Sequence, residues 1–205
     1  MRRSHGNGMK KAVKNGIDRI SAAKRLLADN RIGLLTNASG LSKDMRPTSD
    51  ILRERFNLAA LYAPEHGIRG AKQAGGADED HIDPETGLPV FDLTGAGGAE
   101  NPRVLDNIDM LVYDIQDVGA RFYTYISCLS EMMSRCSARG IPIVVLDRVN
   151  PISGARVEGE ILDEAYSSVV GKHAIPTRYG LTPGEYARLI NKEKNIGCEL
   201  HVVEL

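Results

Sequence analysis

The sequence predicts an α/β fold of the doubly wound, three-layer type, built on a mainly parallel sheet. Short apolar runs alternate along the chain with segments whose apolar residues recur at helical spacing. The runs are apolar at successive positions, as expected of strands that are covered on both faces. This alternation of strand and helix is typical of a parallel sheet with helices packed on its two sides.

Five strands are predicted from the apolar runs. Four of them have continuous apolar character, and they cover residues 32–35, 58–62, 110–113 and 141–146. A fifth strand is predicted over residues 198–204, after the last helix. The connections that follow the second and fourth strands, residues 63–88 and 147–180, are much longer than most loops of a compact domain.

Helices are predicted before and between these strands, including one between the first two strands. The first helix has one apolar stripe: Ile17, Ile20, Ala23 and Leu27. A longer helix has a second apolar stripe: Phe122, Ile126, Leu129, Met133 and Cys136. Gly140 is expected to end that helix. The last helix begins at Thr182-Pro183-Gly184-Glu185, a capping box with proline at the first helical position, and runs to about Lys194.

Composition and charge exclude several classes of partner. The 205 residues include 26 Lys and Arg against 27 Asp and Glu, so neither nucleic acid nor an anionic membrane is predicted as a partner. No apolar run approaches the roughly 20 residues of a membrane span. Residues 1–15 are expected to be a flexible basic segment without the apolar run of a signal peptide, so the chain as written is expected to be cytoplasmic. Residues 16–205 are predicted to form one domain.

The functional site is expected where strands end and long loops begin, because ligands of open parallel sheets bind beyond the carboxyl ends of the strands. The second strand leads into Glu65, His66 and Arg69 within the segment PEHGIRG. A glutamate beside an imidazole and a guanidinium can serve as a general acid, base or nucleophile. The first strand is followed by Asn37.

The third and fourth strands also end in polar residues. The third runs into a dense polar and aromatic segment whose notable side chains are Asp114, Gln116, Asp117, Arg121, Tyr123 and Tyr125. Such a density of polar groups is expected of a sugar or phosphate site, and capping of the next helix is the alternative interpretation of Asp117. The fourth strand ends at Asp147, Arg148 and Asn150, and Glu158 follows in the next loop, where a charged hairpin edge is the alternative interpretation.

Other chemistries are disfavoured by missing motifs. There is no GxGxxG after the first strand, no GxxxxGK[ST] and no GxSxG elbow. Three cysteines without a CxxC pair predict neither disulfides nor a zinc site. His66 and His81 with Asp78, Asp80 and Asp83 fit no standard metal spacing, so neither a metal nor a cofactor is predicted.

Together these segments resemble the peptidoglycan exo-β-N-acetylmuramidase family of the NamZ type. The resemblance rests on long and unusual motifs: residues 33–37, 64–70, 114–125, 145–151, 157–159 and 175–176. It covers about residues 16–195. It implies a Rossmann-like domain, a smaller C-terminal domain that this chain does not reach, and hydrolysis that releases N-acetylmuramic acid (MurNAc) from non-reducing ends of peptidoglycan fragments. It also allows an exported enzyme.

Candidate residue roles are inferred from the resemblance together with the known chemistry of glycosidases. Glycosidases typically use two carboxyls, about 5 Å apart in retaining enzymes and farther apart in inverting ones. Glu65 is the first candidate, and three acids compete for the second role: Glu158, Asp114 and Asp117. The substrate carries a lactyl carboxylate, which Arg69, Arg121 or Arg148 is expected to bind. The remaining predicted substrate-binding residues are Asn37, His66, Gln116, Tyr123, Tyr125, Asp147 and Asn150.

Two alternatives remain open on the sequence. One is a non-catalytic module that binds muropeptide sugars, which predicts affinity without turnover. The other is a metal-dependent hydrolase that uses His66, which predicts loss of activity with a chelator.

Overall fold

The computed structural model describes residues 12–70, 80–94 and 101–205. Within them, seven strands form one sheet in the order β3-β4-β2-β1-β5-β6-β9. Their bounds are Arg31–Thr36 (β1), Asn57–Ala63 (β2), His81–Ile82 (β3), Pro89–Asp92 (β4), Met110–Asp114 (β5), Ile143–Leu146 (β6) and Leu200–Val203 (β9). Every neighbouring pair is parallel except β3 with β4. The predicted doubly wound, mainly parallel sheet is confirmed.

Helical segments cover both faces of the sheet and give three layers. On one face, a 3-10 helix (Gly16–Ala23), the short α1 (Lys24–Leu27) and α2 (Thr48–Arg55) pack on alternate strand residues such as Leu34 and Val112. On the other face lie α3 (Tyr125–Ala138) and α4 (Pro183–Glu193). The continuous apolar runs of the strands are therefore explained by burial on both sides.

The predicted helical stripes are confirmed with one exception. Ile17, Ile20, Ala23 and Leu27 are all buried, and the capping box of α4 forms as its sequence indicates. The stripe of α3 is buried from Ile126 onward, but Phe122 is 55% exposed, so its inclusion was wrong. The physical reason is that α3 begins only at Tyr125, three residues after Phe122.

The two long connections contain short strands that the apolar pattern did not indicate. β3 falls within the first connection, and β4 follows that connection as a parallel strand beside β2. The second connection contains β7 (Glu158–Ile161) and β8 (Pro176–Arg178), which form a separate antiparallel pair. All four residues of β7 are exposed, so this strand has no buried apolar face to reveal it.

The remaining chain-level expectations concern cysteines, the amino terminus and membranes. Cys128, Cys136 and Cys198 are free thiols. Most of the predicted basic segment 1–15 lies outside the described residues. Among the helices that the structure describes, none combines the length and the apolar character that crossing a bilayer requires.

Candidate functional site

Glu65 lies on a tight turn at the carboxyl end of β2. The Gly67 N–H donates to the Pro64 carbonyl oxygen at 3.0 Å, which closes the turn around Glu65 and His66. His66 has φ +74° and Gly67 has φ +72°, both in the left-handed region. A histidine in that region costs on the order of 1–3 kcal/mol, a strain that is concentrated at functional sites. The turn projects the half-buried Glu65 from the sheet edge where ligands of such folds bind.

Three side chains surround Glu65, one from the loop after β1 and two from the start of α3. The Thr124 hydroxyl donates to Glu65 Oε2 at 3.2 Å. Tyr125 makes a side-chain hydrogen bond with Asn37. Its phenol also interacts electrostatically with the Glu65 and Asp117 carboxyls. Burial, together with these charges, raises the pKa of Tyr125, so its hydroxyl keeps its proton at neutral pH.

Asn37 is itself fixed by the loop after β1. Its Oδ1 accepts from the Ser39 N–H at 2.9 Å and from the Ser39 hydroxyl at 2.5 Å. The Ser39 Oγ in turn accepts from the Gln116 N–H at 2.9 Å. This chain of hydrogen bonds joins the ends of β1 and β5, so the amide of Asn37 is held in one orientation beside Tyr125.

An aromatic group lies next to this carboxyl. The rings of Phe122 and Tyr123, and those of Tyr123 and Tyr125, have centroids 6.0 Å apart. Phe122 and Tyr123 are 55% and 42% exposed, which is unusual for side chains of this size. Exposed aromatic rings beside a carboxyl and an amide offer faces on which a sugar ring can stack.

A cavity of about 620 Å³ opens beside Glu65. Its walls are the carboxyl ends of β2 and β4, one face of α3, and residues 167–172. The volume is within the range typical of small-molecule sites. Glu65 and Thr124 both lie in its wall, so the carboxyl has access to a ligand.

Asp114 and Arg148, both predicted site residues, form a buried ion pair away from this cavity. Arg148 Nε and Nη2 lie 2.6 and 2.9 Å from the two Asp114 oxygens, and the side chains are 3% and 0% exposed. Asp114 also accepts from the Thr48 hydroxyl, and Arg148 donates to the Leu41 carbonyl oxygen at 2.9 Å. The pair fastens the loop between β1 and α2 to the sheet, a placement that favours a structural role.

Asp117 is buried beneath the same aromatic group. It is 2% exposed, and its Oδ2 accepts from the Gly119 N–H at 2.7 Å and from the Tyr179 hydroxyl. Its Oδ1 has no hydrogen-bond partner among the described residues. Burial raises the pKa of Asp117, and the hydrogen bonds offset only part of that effect. Asp117 does not cap α3, because Thr124 occupies the cap position.

Three further predicted residues hold the loops after β5 and β6. Gln116 Nε2 donates to the Asp117 and Val149 carbonyl oxygens, both at 2.8 Å. Asp147 is 5% exposed and accepts from the Gly184 N–H at 2.8 Å and the Thr182 hydroxyl at 2.9 Å, at the amino terminus of α4. Asn150 donates to the Leu181 carbonyl oxygen at 3.0 Å.

The two other predicted arginines also have partners. Arg69 binds the buried Asp83 through two nitrogens, at 2.8 and 3.1 Å, and Glu85 through a third at 2.9 Å. Arg121 Nη1 donates to the carbonyl oxygens of Glu160 and Ile175 at 2.8 and 2.5 Å. Arg69 thereby joins two loops at the β2 end, and Arg121 ties the β7–β8 hairpin to the chain before α3.

Glu158 lies on the β7–β8 hairpin. It pairs with Arg178 of β8 at 2.6 Å, and its side chain is 55% exposed. The expectation of a charged hairpin edge is thereby confirmed.

The structure thus brings Asn37, Glu65, Tyr123 and Tyr125 to one place, with Asp117 beneath them. Thr124 also belongs to this group and was not among the predicted site residues, although it lies between two that were. Its neighbours Tyr123 and Tyr125 are predicted from their residue type, because aromatic side chains are typical of sugar sites, whereas a threonine between them indicates no such role. Only the approach of β2 to the start of α3 reveals its contact with Glu65.

In the described part of the chain, no three His, Cys, Asp or Glu side chains are grouped as metal ligands. Asp78, one of the residues considered for such a group, lies outside the described residues.

The sequence is similar to proteins of one known family. The profile of the family described as "Exo-beta-N-acetylmuramidase NamZ, N-terminal" matches residues 32–205. The peptidoglycan beta-N-acetylmuramidase NamZ of Bacillus subtilis (strain 168) is 45% identical over 199 residues, which are 96% of this chain and 48% of that protein.

Two crystal structures of DUF1343 family proteins from Bacteroides fragilis share the fold. The first superposes with a TM-score of 0.85 at 42% identity, over 93% of this chain and 49% of the other. The second has a TM-score of 0.80 at 35% identity, over 95% and 52%. The chain therefore spans about half the length of these relatives.

Proposed function

The chain belongs to the family of the exo-β-N-acetylmuramidase NamZ N-terminal domain, and from this premise we propose that it carries the catalytic carboxyl of a glycosidase. The proposed reaction releases MurNAc from the non-reducing ends of peptidoglycan fragments. One observation carries the proposal. Of the four acids considered for catalysis, Glu65 alone is a partly exposed carboxyl in the wall of the cavity, beside a phenol, an amide and exposed aromatic rings.

The surroundings of Glu65 suit glycosidic chemistry. A carboxyl at the cavity wall can donate a proton to the leaving oxygen or attack the anomeric carbon, where positive charge develops in the transition state. Thr124 holds one of its oxygens by a hydrogen bond, and Glu65 lies in the cavity wall. Tyr125 and Asn37 supply a hydroxyl donor and an amide for sugar hydroxyl or acetamido groups, and Tyr123 supplies a ring face.

The other three acids differ in how well their surroundings suit the role of the second catalytic carboxyl. Asp114 is neutralised in a buried ion pair, and Glu158 is paired on the outer hairpin. Asp117 shares the neighbour Tyr125 with Glu65. We assign Asp117 a positioning role, because at 2% exposure it reaches the substrate only through the groups above it.

The test is release of MurNAc from a MurNAc-GlcNAc disaccharide by the wild-type chain and by Glu65→Gln. The amide keeps the size of the side chain but neither exchanges a proton nor carries charge, so we expect turnover to fall by about 10²- to 10⁴-fold. Glu193→Gln, an exposed substitution on α4, is the matched control and should leave turnover unchanged.

Other outcomes of the same assay identify the alternatives. Disaccharide binding without turnover by the wild-type chain would mean a sugar-binding module. Turnover abolished by a chelator, and insensitive to Glu65→Gln, would mean a metal-dependent hydrolase. Turnover that ignores the chelator and vanishes in Glu65→Gln supports the carboxylate mechanism.

A further inference from the structure

The proposed substrate carries a negative charge, and the protein needs a cation to bind it. MurNAc differs from N-acetylglucosamine by a lactyl ether whose carboxylate is ionised at neutral pH. The three arginines suggested by the sequence already have partners: Arg69 and Arg148 bind carboxylates, and Arg121 binds two carbonyl oxygens. The cavity beside Glu65 contains two other cations, Arg135 and Lys172.

One face of α3 forms a continuous wall from Glu65 to these cations. The wall residues are spaced as one face of a helix, in pairs of neighbours separated by three positions: Thr124, Ser127, Cys128, Glu131, Met132 and Arg135. Thr124 donates to Glu65, so the catalytic carboxyl lies at the amino-terminal end of the wall. Glu131 is seven residues farther along, and a helix rises about 1.5 Å per residue, so the charged end of the wall is about 10 Å from Thr124. That separation is on the scale of a single sugar with its substituent.

The charges at this end do not cancel. Arg135 Nε lies 3.1 Å from Glu131 Oε1, and the Lys172 ammonium contacts Glu131 Oε2. Two cations therefore share one carboxylate, which leaves the cluster with one positive charge. The Arg135 and Lys172 side chains are only 20% and 32% exposed, so their attraction for an anion is screened less than on an open surface.

The cluster also retains unused donors. An ammonium has three N–H groups and a guanidinium has five, and Glu131 occupies only part of them. Ser168, which also lines the cavity, adds a hydroxyl group, whereas the Ser167 hydroxyl donates to the Lys172 carbonyl oxygen at 2.9 Å.

We propose that Arg135 and Lys172, bridged by Glu131, form an anion subsite that receives the lactyl carboxylate of MurNAc while the glycosidic bond lies at Glu65. This inference rests on the proposed function and specifies how its substrate is recognised. A carboxylate entering the cavity completes a network of two cations and two anions. An N-acetylglucosamine unit, which lacks the lactyl group, leaves that network incomplete.

Calorimetric titration with MurNAc and with N-acetylglucosamine tests the subsite. The wild-type chain should bind MurNAc more tightly than N-acetylglucosamine. Lys172→Met keeps the aliphatic stem but removes the charge, so we expect affinity for MurNAc to fall by about 10-fold, as for the loss of a hydrogen bond to a charged group. Affinity for N-acetylglucosamine should not change. Lys192→Met, at an exposed position of α4, is the control and should bind both sugars as the wild type does.

A second variant predicts a change of opposite sign. Glu131→Gln removes the anion that competes for the two cations, so MurNAc affinity should rise while N-acetylglucosamine affinity stays constant. A variant that merely misfolds would lose affinity for both sugars instead. Unchanged preference for MurNAc in both Lys172→Met and Glu131→Gln would overturn the subsite.

Failure of the subsite is distinguishable from failure of the proposed function. If the disaccharide is cleaved in a Glu65-dependent way but Lys172→Met and Glu131→Gln both prefer MurNAc to the same extent as the wild type, only the subsite is overturned. If Lys172→Met loses discrimination while Glu65→Gln retains turnover, only the catalytic role of Glu65 is overturned. If the wild-type chain neither binds MurNAc nor cleaves the disaccharide, both are overturned.

Discussion

The Asp114 carboxylate and the Arg148 guanidinium show how burial determines what a polar residue at a strand end can do. Both side chains are almost completely inaccessible, and two hydrogen bonds join them. Each also makes one further hydrogen bond, Asp114 with the Thr48 hydroxyl and Arg148 with the Leu41 carbonyl oxygen. Glu65 lies at the end of a strand of the same sheet, but its turn carries it into the cavity wall. An acidic residue at this edge of the sheet is therefore buried in an ion pair in one case and lines a cavity in the other.

We predict that Arg148→Met lowers the free energy of unfolding by about 3–5 kcal/mol, because it leaves the Asp114 charge buried without a partner. Urea denaturation followed by circular dichroism measures this change. Arg188→Met removes an exposed pair with Glu204 and should cost less than about 1 kcal/mol. An Arg148→Met chain with wild-type stability that fails to bind MurNAc would instead assign Arg148 to the substrate.

At the scale of elements, the segment between β7 and β8 brings a histidine next to two lysines. The His173 ring is half-buried, its centroid lies 6.3 Å from that of Tyr186, and its Nε2 has no hydrogen-bond partner among the described residues. Burial, followed by the charges of Lys172 and Lys194, lowers the pKa of His173 to about 4, and Glu164 opposes this effect only weakly. The ring is therefore neutral in the folded chain near pH 5, whereas it is protonated in the unfolded chain.

This difference predicts a loss of stability on acidification. Because the unfolded state binds more protons between the usual histidine pKa of about 6.5 and the folded value of about 4, stability should fall as pH decreases through that interval. We expect His173 to account for about 1 kcal/mol between about pH 7 and pH 5, reduced by solvent screening of the half-exposed ring. Urea denaturation at both pH values should show a smaller pH dependence in His173→Gln, and the same dependence as wild type in the exposed control His201→Gln. Equal dependence in all three chains would contradict the prediction.

At the scale of the whole molecule, the 3-10 helix Gly16–Ala23 is joined by a hydrogen bond to the chain after β6, next to the edge strand β9. The Gly16 N–H donates to the Asp147 carbonyl oxygen at 2.7 Å, and the Asp147 N–H donates to the Val203 carbonyl oxygen at 3.1 Å. A Cβ atom at Gly16 would lie 2.4 Å from the Asp147 nitrogen and 2.6 Å from the Leu146 carbonyl carbon. Contacts under 3.0 Å with backbone require the elements to move apart.

Gly16→Ala should therefore lower the free energy of unfolding by about 1–3 kcal/mol, since the strand end that it meets is fixed on both sides. The comparison is Ser21→Ala, an exposed position of the same segment, which should change stability by less than about 0.5 kcal/mol. Denaturant midpoints of the three chains measure the difference. A Gly16→Ala chain as stable as Ser21→Ala would show that the segment does not close on the sheet as described.

The strands that run through the middle of the sheet could be predicted because burial on both faces leaves a continuous apolar record in the sequence. The capping box of α4 could also be predicted from the sequence, because both of its hydrogen bonds connect residues three positions apart. β3, β7 and β8 were missed because they lie at the edge of the main sheet or in the outer hairpin, where little apolar surface is buried. β4 lies between β3 and β2, and it was missed because it is four residues long and only alternate residues are buried. Phe122 was wrongly included in the apolar stripe of α3 because its spacing in the sequence matches that of a helix. The helix itself begins three residues later, at Tyr125.

The sequence by itself determined the alternation of strands and helices, the edge of the sheet where polar residues collect, and the family to which the motifs belong. The tertiary structure decided which of those polar residues line a cavity and which are buried with protein partners. Glu65, Asp114 and Asp117 all carry a carboxyl group, and all lie within three residues of a strand end in the sequence. Their difference comes from contacts with residues far away along the chain, such as Arg148, Tyr179 and Thr124. Local spacing fixes hydrogen bonds within one element, whereas burial and charge pairing depend on how separate elements meet.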